Sequence, residues 1–131
     1  MHDPFDFFNF AIKLALKADE KYVTRKACIA AIGIRTDDAI VHACSGGDQM
    51  GISPNTHAEA RVLRKMDRFS PVIYVARIRR DTMKFALARP CVTCLPRIKN
   101  KKIGKIYYTI DEHEFGCIDL NSLNERGSKF L

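Results

Sequence analysis

Val72-Ile73-Tyr74-Val75-Ala76-Arg77-Ile78 is a nearly continuous apolar run rich in β-branched side chains. It is short for a helix and lacks polar alternation, so it reads as a strand buried on both faces, as in the sheets of α/β proteins. Working outward, Lys84 to Ala88 is a shorter extended stretch and Ile106 to Ile110 a further strand candidate. Upstream, Ala27 to Arg35 and Ala39 to Cys44 are β-rich, and Asp37-Asp38 between them marks a hairpin turn. Phe5, Phe8, Ile12 and Ala15 or Leu16 recur at helical spacing and predict an amphipathic first helix over 4–19. A loop holding Gly46, Gly47, Gly51 and Pro54 leads into a helix running from His57 to about Phe69. The order helix, hairpin, helix, strand, helix, strand predicts one α/β domain over 1–131, a length ordinary for a single core. Residues 111–131 offer only a short helix candidate near Leu120 to Glu125.

Two short motifs carry chemistry. His57-Ala58-Glu59 and Pro90-Cys91-Val92-Thr93-Cys94 both fall where a strand or loop enters a helix. Positive helix ends favour the thiolate forms of Cys91 and Cys94, which at this spacing share one face of a first turn and can grip one ion. Pro96 is tolerable there, because an amide in the first turn has no partner to lose. Zinc held by one imidazole and two thiolates keeps its fourth tetrahedral position open, and a structural zinc has no need of Glu59. Each half has a plainer reading. Thr56-His57-Ala58-Glu59 fits the S/T-x-x-E capping box, and a lone C-x-x-C serves equally as a redox pair or as half of a structural zinc site. The chain has no second C-x-x-C, and Cys28, Cys44 and Cys117 are scattered singly.

Together the motifs resemble the zinc-dependent nucleobase deaminase superfamily, whose pattern is H-x-E followed by P-C-x-x-C. The likeness in layout spans roughly residues 25–110, with the specific matches confined to the two motifs. It implies a cytidine deaminase-like layered α/β/α fold with a central mixed sheet and a shortened C-terminal region, forming a single CMP/dCMP-type deaminase domain. It also implies one Zn2+ per chain on His57, Cys91 and Cys94. The reaction implied is hydrolytic deamination, with a zinc-bound hydroxide attacking C4 of cytosine and Glu59 shuttling the proton. By the same analogy, backbone around Ala58 and Cys91 holds the base. Asn55 is a candidate sugar or base contact and equally a loop or cap residue.

His57 matches the first ligand of deoxycytidylate, transfer-RNA and polynucleotide deaminases, where free-nucleoside enzymes commonly use cysteine. The hairpin also lacks the N-x-E element with which the latter hold ribose. Both departures favour a nucleotide substrate. Charge supplies the rival. The chain has 22 basic and 15 acidic residues, a formal charge of +7, and Arg97, Lys99, Lys101, Lys102 and Lys105 follow the cysteines closely. Such a run attracts one phosphate or a nucleic-acid backbone, or is a solvated helix face. Arg77, Arg79 and Arg80 extend the basic surface. Phe69, Tyr74, Phe85, Tyr107 and Tyr108 are stacking candidates, although most sit in core-like runs. Three readings stay open: a deaminase of free nucleotides or nucleosides, a cytosine or adenine deaminase of single-stranded DNA or RNA including transfer RNA, and a non-catalytic zinc module that binds nucleic acid or a partner.

The first residues lack the basic region and apolar stretch of a secretory signal, and no run reaches the length of a membrane span. Five cysteines, two of them assigned to metal, suit a reducing cytoplasmic setting without membrane contact. Small members of the superfamily often assemble, so a homo-oligomer, dimer or tetramer, is expected.

Overall fold

The computed structural model describes residues 3–18, 27–44, 57–79, 81–91, 93–122 and 124–129. The expected loop from Gly46 to Thr56, including Asn55, lies outside the described residues, as does Arg80. Among the described residues, three helices, α1 (Pro4–Ala18), α2 (Ala58–Leu63) and α3 (Cys94–Asn100), accompany seven strands. The strands are β1 (Ala27–Ile34), β2 (Ile40–Cys44), β3 (Val72–Arg79), β4 (Phe85–Ala86), β5 (Lys105–Thr109), β6 (Glu114–Asp119) and β7 (Asn124–Lys129). They form one mixed sheet in the order β2-β1-β3-β5-β6-β7, with β4 paired to the end of β3 that β5 leaves uncovered. Only β3 and β5 run parallel among these pairs.

The apolar run from Val72 to Ile78 becomes the central strand, and its side chains alternate between two cores. Ile73 and Val75 pack with Val62 and Leu63 of α2 and Ile98 of α3, while Tyr74, Ala76 and Ile78 pack with Phe7, Phe8 and Ile12 of α1. A strand covered on both faces can be apolar at every position, which is why no alternation shows in its sequence. Burying each aliphatic or aromatic side chain of this kind contributes about 1.5–3 kcal/mol. Tyr74 is sandwiched on the α1 face, stacked against Phe7 at 4.4 Å and Tyr107 at 5.1 Å between ring centroids.

Two expectations need correction. The second helix ends at Leu63 instead of continuing to about Phe69. Leu63 O accepts from Lys101 Nζ, and Asp67 is drawn away by Thr36 and Ser70, so the chain leaves the helical path; Phe69 itself has φ 69°. The short helix expected near Leu120 to Glu125 is replaced by a hairpin of β6 and β7. Asp119 Oδ1 accepts from the amides of Asn121 and Ser122 and forms the turn, while Gly116 and Ile118 alternate into the buried side of β6. A side chain at Gly116 would collide with the Tyr108 ring, so this strand admits no larger residue there.

Asp67 joins the β1–β2 hairpin to the α2–β3 connection. It accepts from Thr36 N at 3.2 Å, from the Thr36 hydroxyl and from the Ser70 hydroxyl. These bonds, with Ser70 first and Thr36 second, hold its carboxyl well below the usual carboxylate range. A depressed carboxylate stabilises the fold above its unfolded value of about 3.9 and loses that contribution as pH falls toward its folded value. Asp67→Ala should therefore melt earlier than the parent near neutral pH, with the gap narrowing below about pH 3.9. Circular dichroism melts across that range check it; a gap that stays constant in acid would assign the loss to packing alone.

Candidate metal centre

Because β3 and β5 run parallel, the helices that precede β3 and β5 begin at one end of the sheet, beyond the C-terminal ends of these strands. Ligand sites of open α/β sheets characteristically form there. His57 is the residue before α2, and Cys91 precedes α3 by one turn. The Cys91 carbonyl accepts from the amides of Cys94 at 3.1 Å and Leu95 at 3.0 Å, so that turn folds Cys91 back toward Cys94. Cys91 was expected inside the first helical turn; it stands just outside, and the turn preserves the closeness of the two sulfurs. Pro96 lies within the first turn of α3, where it displaces no helix hydrogen bond.

His57 Nδ1 lies 3.7 Å from Cys91 Sγ and 3.4 Å from Cys94 Sγ. One ligand atom from each of the three residues lies within 4.8 Å of the others, so the group could hold a metal ion. Glu59 is buried beside it, within electrostatic reach of His57 and Cys94. No side-chain capping bond is made by His57 at the start of α2. Burial raises the Glu59 carboxyl above its ordinary value, only partly offset by its own amide, His57 and Cys94. Burial, the Glu59 charge and Cys91 push the Cys94 thiol up to about 12. At Cys91 burial also acts upward, but the amides of Cys94 and Thr93 outweigh it, and that thiol ends below its ordinary value. Three acidic groups thus crowd one imidazole, an arrangement that a bound cation relieves.

Two further elements fix the site. Arg61 donates to Cys44 O at 2.7 Å and Lys65 to His42 O at 2.6 Å, which ties α2 down onto β2. Arg89, immediately before Pro90, forms a two-pronged pair with Glu125 of β7, at 2.9 and 3.1 Å, and the Tyr108 hydroxyl donates to the same carboxylate. Nothing local in the sequence marks this trio, since its members lie on three separate elements and meet only through sheet order. Thr109, fully buried, donates to Ala86 O and accepts from Arg77 N, and its carbonyl takes Ala88 N. The segment entering the cysteines is therefore held at both β5 and β7.

The basic run does not form one patch. Arg97 acts electrostatically on Cys94 at the metal end, whereas Lys101 turns inward to Leu63 O. Lys99, Lys102 and Lys105 line cavities at the opposite end of the sheet. The Ala58 side chain is fully buried in the core beneath α2, and Asn55 lies outside the described residues. Of the stacking candidates, Tyr74 and Tyr108 are buried, and Phe85 packs with Phe8. Phe69 alone among the five is exposed. Among the described residues no helix is long and apolar enough to cross a membrane. Comparisons with protein-family models, curated proteins and solved structures find nothing that matches this chain.

The chain should bind about one divalent transition-metal ion, and Cys94→Ala or His57→Ala should abolish that stoichiometry in elemental analysis. Retention of a full equivalent by both variants would show that the ion sits elsewhere. Glu125→Ala should leave the ligands in place yet speed metal loss to a chelator by up to about tenfold, since groups supporting a ligand loop tune retention. An unchanged release rate would mean that the Arg89 pair serves the surface only.

Proposed function

We propose that the metal is zinc and that the protein is a hydrolytic deaminase of cytosine in a free nucleotide, of CMP/dCMP type, within a cytidine deaminase-like α/β/α fold. The observation that carries this reading is a buried carboxylate, Glu59, set beside a cluster of one imidazole and two thiols. Zinc–sulfur bonds of about 2.3 Å and zinc–nitrogen bonds of about 2.0–2.1 Å give a tetrahedron nitrogen–sulfur edges of about 3.6 Å. The His57–sulfur distances of 3.4 and 3.7 Å fit those edges. Bound there, zinc supplies Lewis-acid activation of water at neutral pH.

The chain's own contribution is proton movement and positioning. Hydrolysis of cytosine to uracil adds water at C4 and expels ammonia, so protons must pass from the water to the ring nitrogen beside C4 and then to the departing amine. A single buried carboxyl can accept and return each of them. Arg97, the member of the basic run that acts on the metal end, supports a substrate carrying one phosphate.

Zinc-loaded protein should release ammonia from CMP or dCMP, and Glu59→Gln should lower the rate on the order of 10^3-fold with zinc content unchanged. Mass spectrometry of cytidine, deoxycytidine, their monophosphates, single-stranded DNA and transfer RNA checks this directly. Turnover confined to polymer would replace the free-nucleotide substrate by a nucleic acid. No turnover of any substrate by the zinc-loaded parent would overturn the enzyme reading in favour of a binding module.

A further inference from the structure

At the end of the sheet opposite the metal cluster, three turns meet: the α2–β3 connection, the α3–β5 connection and the β6–β7 turn. Backbone bonds lock them together. Phe69 N donates to Lys101 O, Gly104 N to Ser70 O, Lys105 N to Pro71 O, and Leu120 N to Gly104 O, all between 2.9 and 3.1 Å. Gly104 permits this approach, since a Cβ there would lie 2.7 Å from the Pro71 carbonyl oxygen. Between the turns lie cavities of about 490 Å3 and about 370 Å3 that share Phe69, Lys102 and Asn121 as walls. A third, of about 240 Å3, shares Lys105 with the larger and adds Arg126.

The residues in this groove are poorly suited to a purely structural role. Phe69 is 66% exposed and holds φ 69°, a backbone conformation that Gly or Asn would adopt more easily than a bulky aromatic. Lys102, across the groove, is also left-handed at φ 61°. Sites where local preference and structure disagree in this way tend to be functional. Among the described residues, Lys99, Lys102, Lys105 and Arg126 enter no salt bridge, and the one acid lining these cavities, Asp119, is occupied with the amides of Asn121 and Ser122. The groove therefore presents an exposed aromatic face, the Asn121 side chain and a surrounding set of cations. Arg68 stands over the Phe69 ring at 5.6 Å and adds to that set.

We propose that this groove binds single-stranded nucleic acid, with one base stacked on Phe69 and the backbone phosphates running past Lys102 and Lys105 toward Lys99 and Arg126. A duplex keeps its bases stacked inside and offers nothing to Phe69, whereas an unpaired strand presents both a base face and a phosphate line. The larger cavity is the size of one small ligand, and its neighbours extend the cationic path beyond a single nucleotide. The proposal is independent of the deaminase reading, because none of these residues belongs to the metal cluster.

The test is fluorescence anisotropy of a labelled thymidine oligonucleotide of about 12 residues, which has no exocyclic amine to lose and reports binding alone. With about four phosphates neutralised by these four cations, log affinity should fall against log salt with a slope of about −2.8, and Lys102→Ala with Lys105→Ala should flatten that slope by about 1.4. Phe69→Asn removes the ring at a backbone angle that Asn tolerates, so folding is spared; it should weaken binding at least about fivefold with the slope unchanged. Melting curves of each variant confirm that the fold is retained. Absence of binding at low salt would overturn the proposal, as would parent-like affinity in both variants. Equal competition by thymidine monophosphate and by the oligonucleotide would also overturn it, reducing the groove to a small-anion pocket.

Discussion

Parallel pairing of β5 with β3 obliges the chain between them to return the full length of the sheet, and α3 is the segment that makes the return. The same pairing sets the start of α3 beside the start of α2, since α2 runs down to the beginning of β3. Had the two strands been antiparallel, a short turn would have sufficed and the cysteines would have had no reason to meet His57. Everything at this end follows from this: the helix starts collect, and the atoms of His57, Cys91 and Cys94 that could hold a metal come within 4.8 Å of one another. Each helix is short, so the stability of this arrangement rests on the apolar layer beneath, where Val62, Ile98, Ile73 and Ile106 are fully buried.

The C-terminal hairpin extends that logic to the other edge of the sheet. Tyr108 spans three strands, with its ring over Gly116 of β6 and its hydroxyl on Glu125 of β7. Glu125 in turn grips Arg89 next to Pro90 and Cys91. Burial and the Glu125 carboxylate push the Tyr108 hydroxyl up to about 12, so it remains a donor throughout the neutral range. The two ends of the molecule then divide the labour that charge alone could not apportion: a half-buried cluster of one imidazole, two thiols and a carboxyl at one, exposed cations and an aromatic face at the other.

How much of this was legible in the sequence depended on the range of the determining contacts. The first helix, the hairpin turn at Asp37-Asp38 and the strand from Val72 were readable because local periodicity and turn residues decide them. The meeting of His57, Cys91 and Cys94 was readable because residues able to hold a metal are uncommon together at a recognisable spacing. The end of α2 was misjudged because tertiary bonds from Thr36 and Lys101 cut short a segment that retains helical residues. The strand Asn124–Lys129 was hidden for a different reason: an edge strand rich in charged and polar residues has no apolar pattern to announce it, and its pairing with β6 alone creates it. The basic run looked continuous in sequence, but a short helix and the turn after it scatter its members over a site, an interior and a groove.

Zinc-edge X-ray absorption of the metal-loaded protein tests the central claim most directly. The account predicts two sulfur neighbours at about 2.3 Å, one imidazole nitrogen at about 2.0–2.1 Å and a fourth light-atom neighbour from solvent. A shell of four sulfurs, or one with no imidazole, would contradict it, because either would remove His57 from the metal.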